Sequence, residues 1–162
     1  MPDEVDISVV VPAYNEAGSI TELSEWISRV MEAHGYRYEI LIVDDGSNDH
    51  TWEAICDIAT KNARVKGIRF NRNYGKSAAL NAGFRQAAGA VVITLDADLQ
   101  DSPDEIPELY RMVTEKGYDL VSGWKKKRRD PISKRWPSRF FNFVTRKISG
   151  IKIHDFNCGL KA

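Results

Sequence analysis

Apolar residues gather along this chain in short unbroken runs, and between the runs they recur every three or four positions. Ile7–Pro12 (ISVVVP) is a continuous, mostly β-branched run, the pattern of a strand covered on both faces. From roughly Ala17 to His34 the apolar residues Ile20, Leu23, Ile27, Val30 and Met31 fall on one helical stripe, with Gly35 placed to end it. Tyr38–Val43 (YEILIV) predicts a second strand, and Asp44-Asp45-Gly46-Ser47 has the composition of its exit turn. A helix is expected over Asp49–Lys61, capped by Asn48 or Asp49. Val65–Phe70 reads as a third strand, Lys76–Ala88 as an Ala-rich helix, and Ala90–Leu95 (AVVITL) as a fourth strand. Ser102-Pro103 opens another helix, with Ser as cap, Pro at the first position and Glu105 in the first turn. Asp119–Ser122 predicts a short fifth strand.

Strand and helix thus alternate through residues 1–122 in units of about 30 residues. That rhythm predicts an α/β domain with a mostly parallel, Rossmann-like sheet and helices on both faces. Residues 123–162 differ in character but are too few for a second core, so they are assigned to the same domain. WKKKRRDP (124–131) is a charged, turn-ending loop, and residues 133–149 predict a helix. On that helix Trp136, Phe140, Phe143, Val144 and Ile148 share a face, flanked by Arg135, Arg139 and Arg146. The pattern fits a helix on a membrane surface and equally one packed on the domain with its arginines in water. The last residues, Gly159–Ala162, carry no turn or stop signal, so the chain is expected to break off inside a structural element.

Composition narrows the classes. With 43% hydrophobic residues in 162, one domain can build a core. No apolar run approaches the ~18 residues of a spanning helix, and the acidic N-terminus lacks a signal-peptide pattern. Cys56 and Cys158 stand far apart without metal-ligand spacing, as free thiols in a reducing compartment would. The formal net charge is +0, yet Gly123–Lys152 holds eleven Lys or Arg residues against the single acid Asp130. Such separation marks one face for an anionic partner. Nucleic acid is disfavoured, because nothing beyond this segment supports it.

In an open parallel sheet, ligands bind beyond the carboxyl ends of the strands. Three polar clusters fall there: Pro12-Ala13-Tyr14-Asn15-Glu16, Asp44 to Asp49, and Asp96-Ala97-Asp98-Leu99-Gln100. Two carboxylates two residues apart, Asp96 and Asp98, can project into one crevice, with Gln100 adding an oxygen. A magnesium- or manganese-type cation needs few protein oxygens when substrate phosphates complete its shell. Asp44 and Asp45 either build a turn or accept a nucleobase N–H beside the ring of Tyr14, and Glu16 either holds a ribose hydroxyl or caps a helix. Gly-x-Gly-x-x-Gly, Walker and Gly-x-Ser-x-Gly patterns are missing, which disfavours dinucleotide, ATP-phosphoryl and esterase chemistry. His34, His50 and His154 form no zinc set.

VVVPAYNE (9–16), ILIVDDGSNDHT (40–51), NYGKSAALNAGFRQAAG (73–89), ITLDADLQDSPDEIPEL (93–109) and HDFNCGLKA (154–162) resemble the inverting family 2 glycosyltransferases of GT-A fold. Within that family the chain is similar to the dolichyl- and polyprenyl-phosphate sugar synthases. The resemblance implies a GT-A fold and a divalent cation, Mg²⁺ or Mn²⁺. It implies a UDP- or GDP-linked sugar donor and a polyprenyl phosphate acceptor at the cytoplasmic face of a membrane. Pro12, Tyr14, Glu16, Asp44 and Asp45 would hold the nucleoside, with Lys76 near the donor. Asp96 would serve the nucleotide end, and Asp98 with Gln100 the metal. Lys125, Arg135 and Arg139 would receive the acceptor phosphate, and Asp155 lies in the motif that closes the site. The lipid-phosphate branch often reads Gly-Ser-Arg where this chain has Gly123-Trp124-Lys125, which replaces a bidentate fork with a point charge. The expected reaction is a single displacement with inversion, in which an ionised phosphate needs no strong base; a sugar hydroxyl would need one, with Asp155 the candidate. A saccharide acceptor, and a nucleotide-binding module without catalysis, remain the alternatives.

Overall fold

The computed structural model describes residues 4–123 and 159–162. Four strands, β1 (Ile7–Ala13), β2 (Tyr38–Asp44), β3 (Val65–Arg69) and β4 (Val91–Thr94), alternate with helices α1 (Ile20–Ala33), α2 (Thr51–Lys61) and α3 (Lys76–Gln86). A 3₁₀ turn, Pro103–Glu105, leads into α4 (Ile106–Thr114). The strands form one parallel sheet in the order β3-β2-β1-β4. The α/β class and the four strand positions agree with the sequence pattern to within two residues at each end.

Side-chain alternation sorts the sheet into two faces. Ile7, Val9 and Val11 of β1, Ile40 and Ile42 of β2, and Ile93 of β4 belong to one buried cluster. Ile20, Leu23, Ile27 and Met31 of α1, Ile55 and Ile58 of α2, and Ile106 and Leu109 of α4 complete that cluster, so α1, α2 and α4 share this face. The helical stripe read from residues 20–31 is the buried face of α1. The opposite face carries Val10 and Leu41, both wholly buried, and α3 packs there against β1 and β2. At the amino end of that face lies a polar network. Glu39 Oε1 accepts from the Ser8 hydroxyl (2.6 Å) and from the Ala88 N–H (2.8 Å). Lys66 Nζ donates to Glu39 Oε2 at 2.8 Å. Burial alone would raise the Glu39 carboxyl, but these donors outweigh it and hold the group below its ordinary value.

The expected fifth strand is corrected. Residues 119–122 do not pair with β4; only Ser122 bridges, and its partner is Lys161, antiparallel. Lys161 also bridges Thr94 antiparallel, so the segment 159–162 lies along the edge of β4. Val121 and Ala162 exchange both N–H···O bonds, at 2.8 and 2.9 Å, and the Gly123 N–H reaches the Leu160 carbonyl at 3.0 Å. The predicted helix at residues 133–149 and the basic loop before it lie outside the described residues.

Candidate functional site

Strand parity decides which polar residues meet. Val9 and Val11 face α1, so Pro12 leaves β1 on the α3 side; Asp45, next after β2, points the same way. Ile93, Leu95 and Ala97 belong to the α1-side cluster, which turns Asp96 and Asp98 toward α3. Both carboxylates thus come to one cavity, Asp96 just past the end of β4 and Asp98 in the turn that follows. There Pro12, Tyr14, Glu16, Asp45, Lys76, Asp96 and Asp98 line one cavity of about 350 Å³ at the carboxyl ends of β1, β2 and β4. That volume lies within the ~300–1,000 Å³ of ligand pockets. Asn73, Gly75 and Ala97 also line it, residues that sequence reasoning did not single out.

Each wall is built locally. The Asp45 N–H donates to the Ala13 carbonyl at 2.9 Å, tying the β2 exit to the β1 exit. The Asp45 carboxylate is 4% exposed and both its oxygens accept backbone N–H groups, Oδ1 from Tyr74 at 2.7 Å and Oδ2 from Gly75 at 2.9 Å. It thus fixes the loop that delivers Lys76 at the start of α3. Each carboxylate oxygen has a second lone pair, so Asp45 keeps acceptor capacity toward the cavity. Gly46, beside it, has φ +70°, and a Cβ there would overlap the Arg72 backbone; only glycine satisfies both conditions.

Lys76 Nζ is 2.5 Å from Asp96 Oδ1, a pair reaching across the cavity. Asp98 is exposed, and its Oδ1 accepts the Gln100 N–H at 3.1 Å. The turn between them holds Leu99 at φ +58°, a conformation that a leucine rarely adopts. Asn15, at φ +58°, shapes the first exit: its N–H donates to the Ser47 hydroxyl and its side-chain oxygen accepts from the Asn48 N–H, both at 2.9 Å. Asp49 joins the two helix starts, accepting from the Ala17 N–H at 3.3 Å and the Thr51 N–H at 3.0 Å. The Thr51 hydroxyl beside it, with those N–H groups, holds the Asp49 carboxyl below the usual range. For Glu16, the carbonyl accepts from Ser19 and Ile20 N–H, both at 3.1 Å, and the carboxylate from the Ser19 hydroxyl at 2.7 Å. Its carboxylate therefore holds the Ser19 side chain and caps no helix N–H, the turn into α1 being closed by its backbone carbonyl, and the residue also lines the cavity.

Two expected residues lie elsewhere. Asp44 falls on the α1/α2 face, 0% exposed, where Oδ1 accepts the Ser47 N–H at 2.9 Å and Arg69 Nε stands 3.6 Å from Oδ2. Parity sends Asp44 and Asp45 to opposite faces, so Asp44 builds the turn and does not line the cavity. Gln100 is exposed and not among the lining residues. Lys125, Arg135, Arg139 and Asp155 lie outside the described residues. Among the described residues no group of three or more His, Cys, Asp or Glu side chains clusters as a metal site, and no helix is long and apolar enough to cross a membrane.

The family model described as glycosyl transferase family 2 matches residues 8–162. The chain belongs to that family. A family 2 relative named undecaprenyl-phosphate 4-deoxy-4-formamido-L-arabinose transferase, from Pseudomonas fluorescens (strain SBW25), is 42% identical over 157 residues, 96% of this chain and 46% of that protein. The chain therefore spans about half the length of the curated relatives it matches. Among solved structures it is similar to the mannosyltransferase PcManGT from Pyrobaculum calidifontis in complex with GDP-Man and Mn²⁺. That match has TM-score 0.66 and 26% identity, covering 90% of this chain and 39% of that one. Glucosyl-3-phosphoglycerate synthase from Mycobacterium tuberculosis, in complex with UDP, superposes at TM-score 0.73 with 24% identity over 97% of this chain and 56% of that one, a likeness of fold. The family 2 chain thus has the GT-A fold expected from its sequence.

Proposed function

We propose that this chain carries the donor site of a glycosyltransferase that moves a sugar from a nucleoside diphosphate to a polyprenyl phosphate, with inversion at the anomeric carbon. The observation that carries the reading is the convergence of Tyr14, Asp45, Lys76, Asp96 and Asp98 on one cavity at the carboxyl ends of the strands. The relatives named as undecaprenyl-phosphate sugar transferases support the acceptor, and the neighbour holding GDP-Man and Mn²⁺ supports the donor class and the cation.

The donor set suits a hard divalent cation. Its side chains offer carboxylate and amide oxygen and no thiolate or imidazole, which selects Mg²⁺ or Mn²⁺ over softer metals. Asp98 and Asp96 would hold it, with Gln100 assigned on its sequence position alone, substrate oxygens and water completing the shell. Such a cation supplies charge neutralisation to the departing diphosphate. Tyr14 offers a ring face and Asp45 an acceptor for the base; Pro12 and Glu16 close the nucleoside side. Lys76 adds a positive charge where the diphosphate leaves. The acceptor phosphate is ionised at neutral pH and attacks from the opposite face without a general base. Lys125, Arg135 and Arg139 are assigned to that phosphate on their sequence positions, and Asp155 to closing the site. The basic stretch from Gly123 to Lys152 suits work at the anionic cytoplasmic face of a membrane.

A melting-temperature panel of UDP- and GDP-sugars, with and without Mn²⁺, tests the donor. One nucleotide class should stabilise the protein in a metal-dependent way, and Asp98→Ala should abolish the metal dependence. Product analysis with polyprenyl phosphate against free saccharides tests the acceptor. Stabilisation by no nucleotide sugar refutes the donor site, and transfer to saccharide alone refutes the lipid acceptor.

A further inference from the structure

Gly159 lies against Asp96 so closely that a Cβ there would overlap Cγ and both oxygens of the carboxylate. The Gly159 backbone cannot step back, so Asp96 can yield only by turning its side chain. The Gly159 carbonyl accepts the Thr94 hydroxyl at 2.7 Å, and Lys161 exchanges backbone bonds with Thr94 at 2.8 and 3.3 Å. On the far side the same segment is held by Val121 and Gly123, and Leu160, 5% exposed, is anchored in the core. Asp96 follows two residues after Thr94, the last residue of β4, and the segment pinned to the first abuts the second. Across the cavity Lys76 Nζ meets Asp96 Oδ1 at 2.5 Å. Asp96 is therefore confined between a backbone on one side and an ammonium on the other.

We propose that Gly159–Ala162 is a positioning strap for Asp96, with Gly159 the residue that sets the carboxylate and, through it, Lys76. The proposal rests on the donor-site reading above and deepens it: the segment that returns from residues 124–158 fixes the geometry of the nucleotide end. A side chain at residue 159 meets three atoms of Asp96 at once, so a small rotation does not relieve the overlap. Asp96 must change rotamer and part from Lys76.

The test uses calorimetric binding of UDP and GDP, each with and without Mn²⁺, to the full chain and to Gly159→Ala, Leu160→Ala, Asp96→Ala and the Gly159→Ala/Asp96→Ala double variant. Gly159→Ala should weaken the preferred nucleotide by about tenfold or more, the size of one lost charged contact. Leu160→Ala loosens the strap without crowding Asp96; it should lower the melting temperature yet leave affinity within about twofold of wild type. In the Asp96→Ala background Gly159→Ala should cost nothing further in affinity, and its cost in melting temperature should shrink, because the overlap is gone. That melting-temperature comparison decides the matter even if the single variant is too unstable to titrate. Unchanged affinity in Gly159→Ala, an equal loss in Leu160→Ala, or undiminished costs in the double variant would each overturn the strap. Wild-type protein that binds neither nucleotide overturns the donor site itself, and the strap with it.

Discussion

Removing the Asp45 carboxylate should damage stability before any ligand is considered. Asp45 is 4% exposed and accepts two backbone N–H groups, from Tyr74 at 2.7 Å and Gly75 at 2.9 Å. Hydrogen bonds to a charged acceptor contribute about 1.5–3 kcal/mol each. Tyr74 is exposed and Gly75 partly so, and water can re-solvate part of what Asp45→Ala uncovers, which brings the expected loss to about 2–4 kcal/mol. A chain of 162 residues falls about 2–4 °C in Tm per kcal/mol, so the drop should be about 5–15 °C. Asp45→Asn keeps one acceptor and turns an NH₂ toward the second N–H, and should fall between alanine and wild type. Calorimetric melting at pH 7 without nucleotide is the assay. An Asp45→Ala protein melting within about 2 °C of wild type would show that the Tyr74–Gly75 loop is held by something else.

Glu39 should make stability acid-sensitive. Its folded carboxyl lies below the ordinary value of 4.5, so the unfolded chain binds more protons, and stability is lost as pH falls through and below that value. Urea midpoints should decline less steeply over about pH 5 to 3 in Glu39→Gln than in wild type. Gly46→Ala combines φ +70° with overlap of the Arg72 backbone and should cost about 2 kcal/mol or more, read from urea denaturation. Lys76→Met leaves Asp96 without its cation; titration should show a nucleoside diphosphate losing at least about tenfold in affinity while the matching nucleoside is unaffected.

Much of this fold is legible because both signals that mark it are local. Runs such as ISVVVP and YEILIV are buried on both faces, and the stripe from Ile20 to Met31 matches one helix period. Asp96 and Asp98 could be read as one surface because both follow directly on the exit of β4. Strand parity separates Asp44 from Asp45, but it applies only once the last residue of β2 and the face toward α3 are known. That is why the two neighbours could not be told apart by sequence. Helix α1 begins at Ile20, later than the apolar pattern suggests, because the Glu16 carbonyl turns the chain first. Asn73 and Gly75 sit in a stretch that matches the family, yet no role could be read for them there; they line the cavity beside the loop that Asp45 holds through the Tyr74 and Gly75 N–H groups. The segment 159–162 is too short for periodicity, and its partners Thr94 and Val121 are distant in sequence. Its close approach to Asp96 is a fact of three dimensions alone.

The bond from the Gly123 N–H to the Leu160 carbonyl, 3.0 Å long, makes residues 124–158 a cassette whose two ends are stapled at one point on the sheet margin. Closing such a loop costs only about 0.6 kcal/mol more for each doubling of its length. The residues proposed to meet the acceptor thus leave and rejoin the described fold at one hydrogen-bonded point, and the rejoining end, Gly159, abuts Asp96.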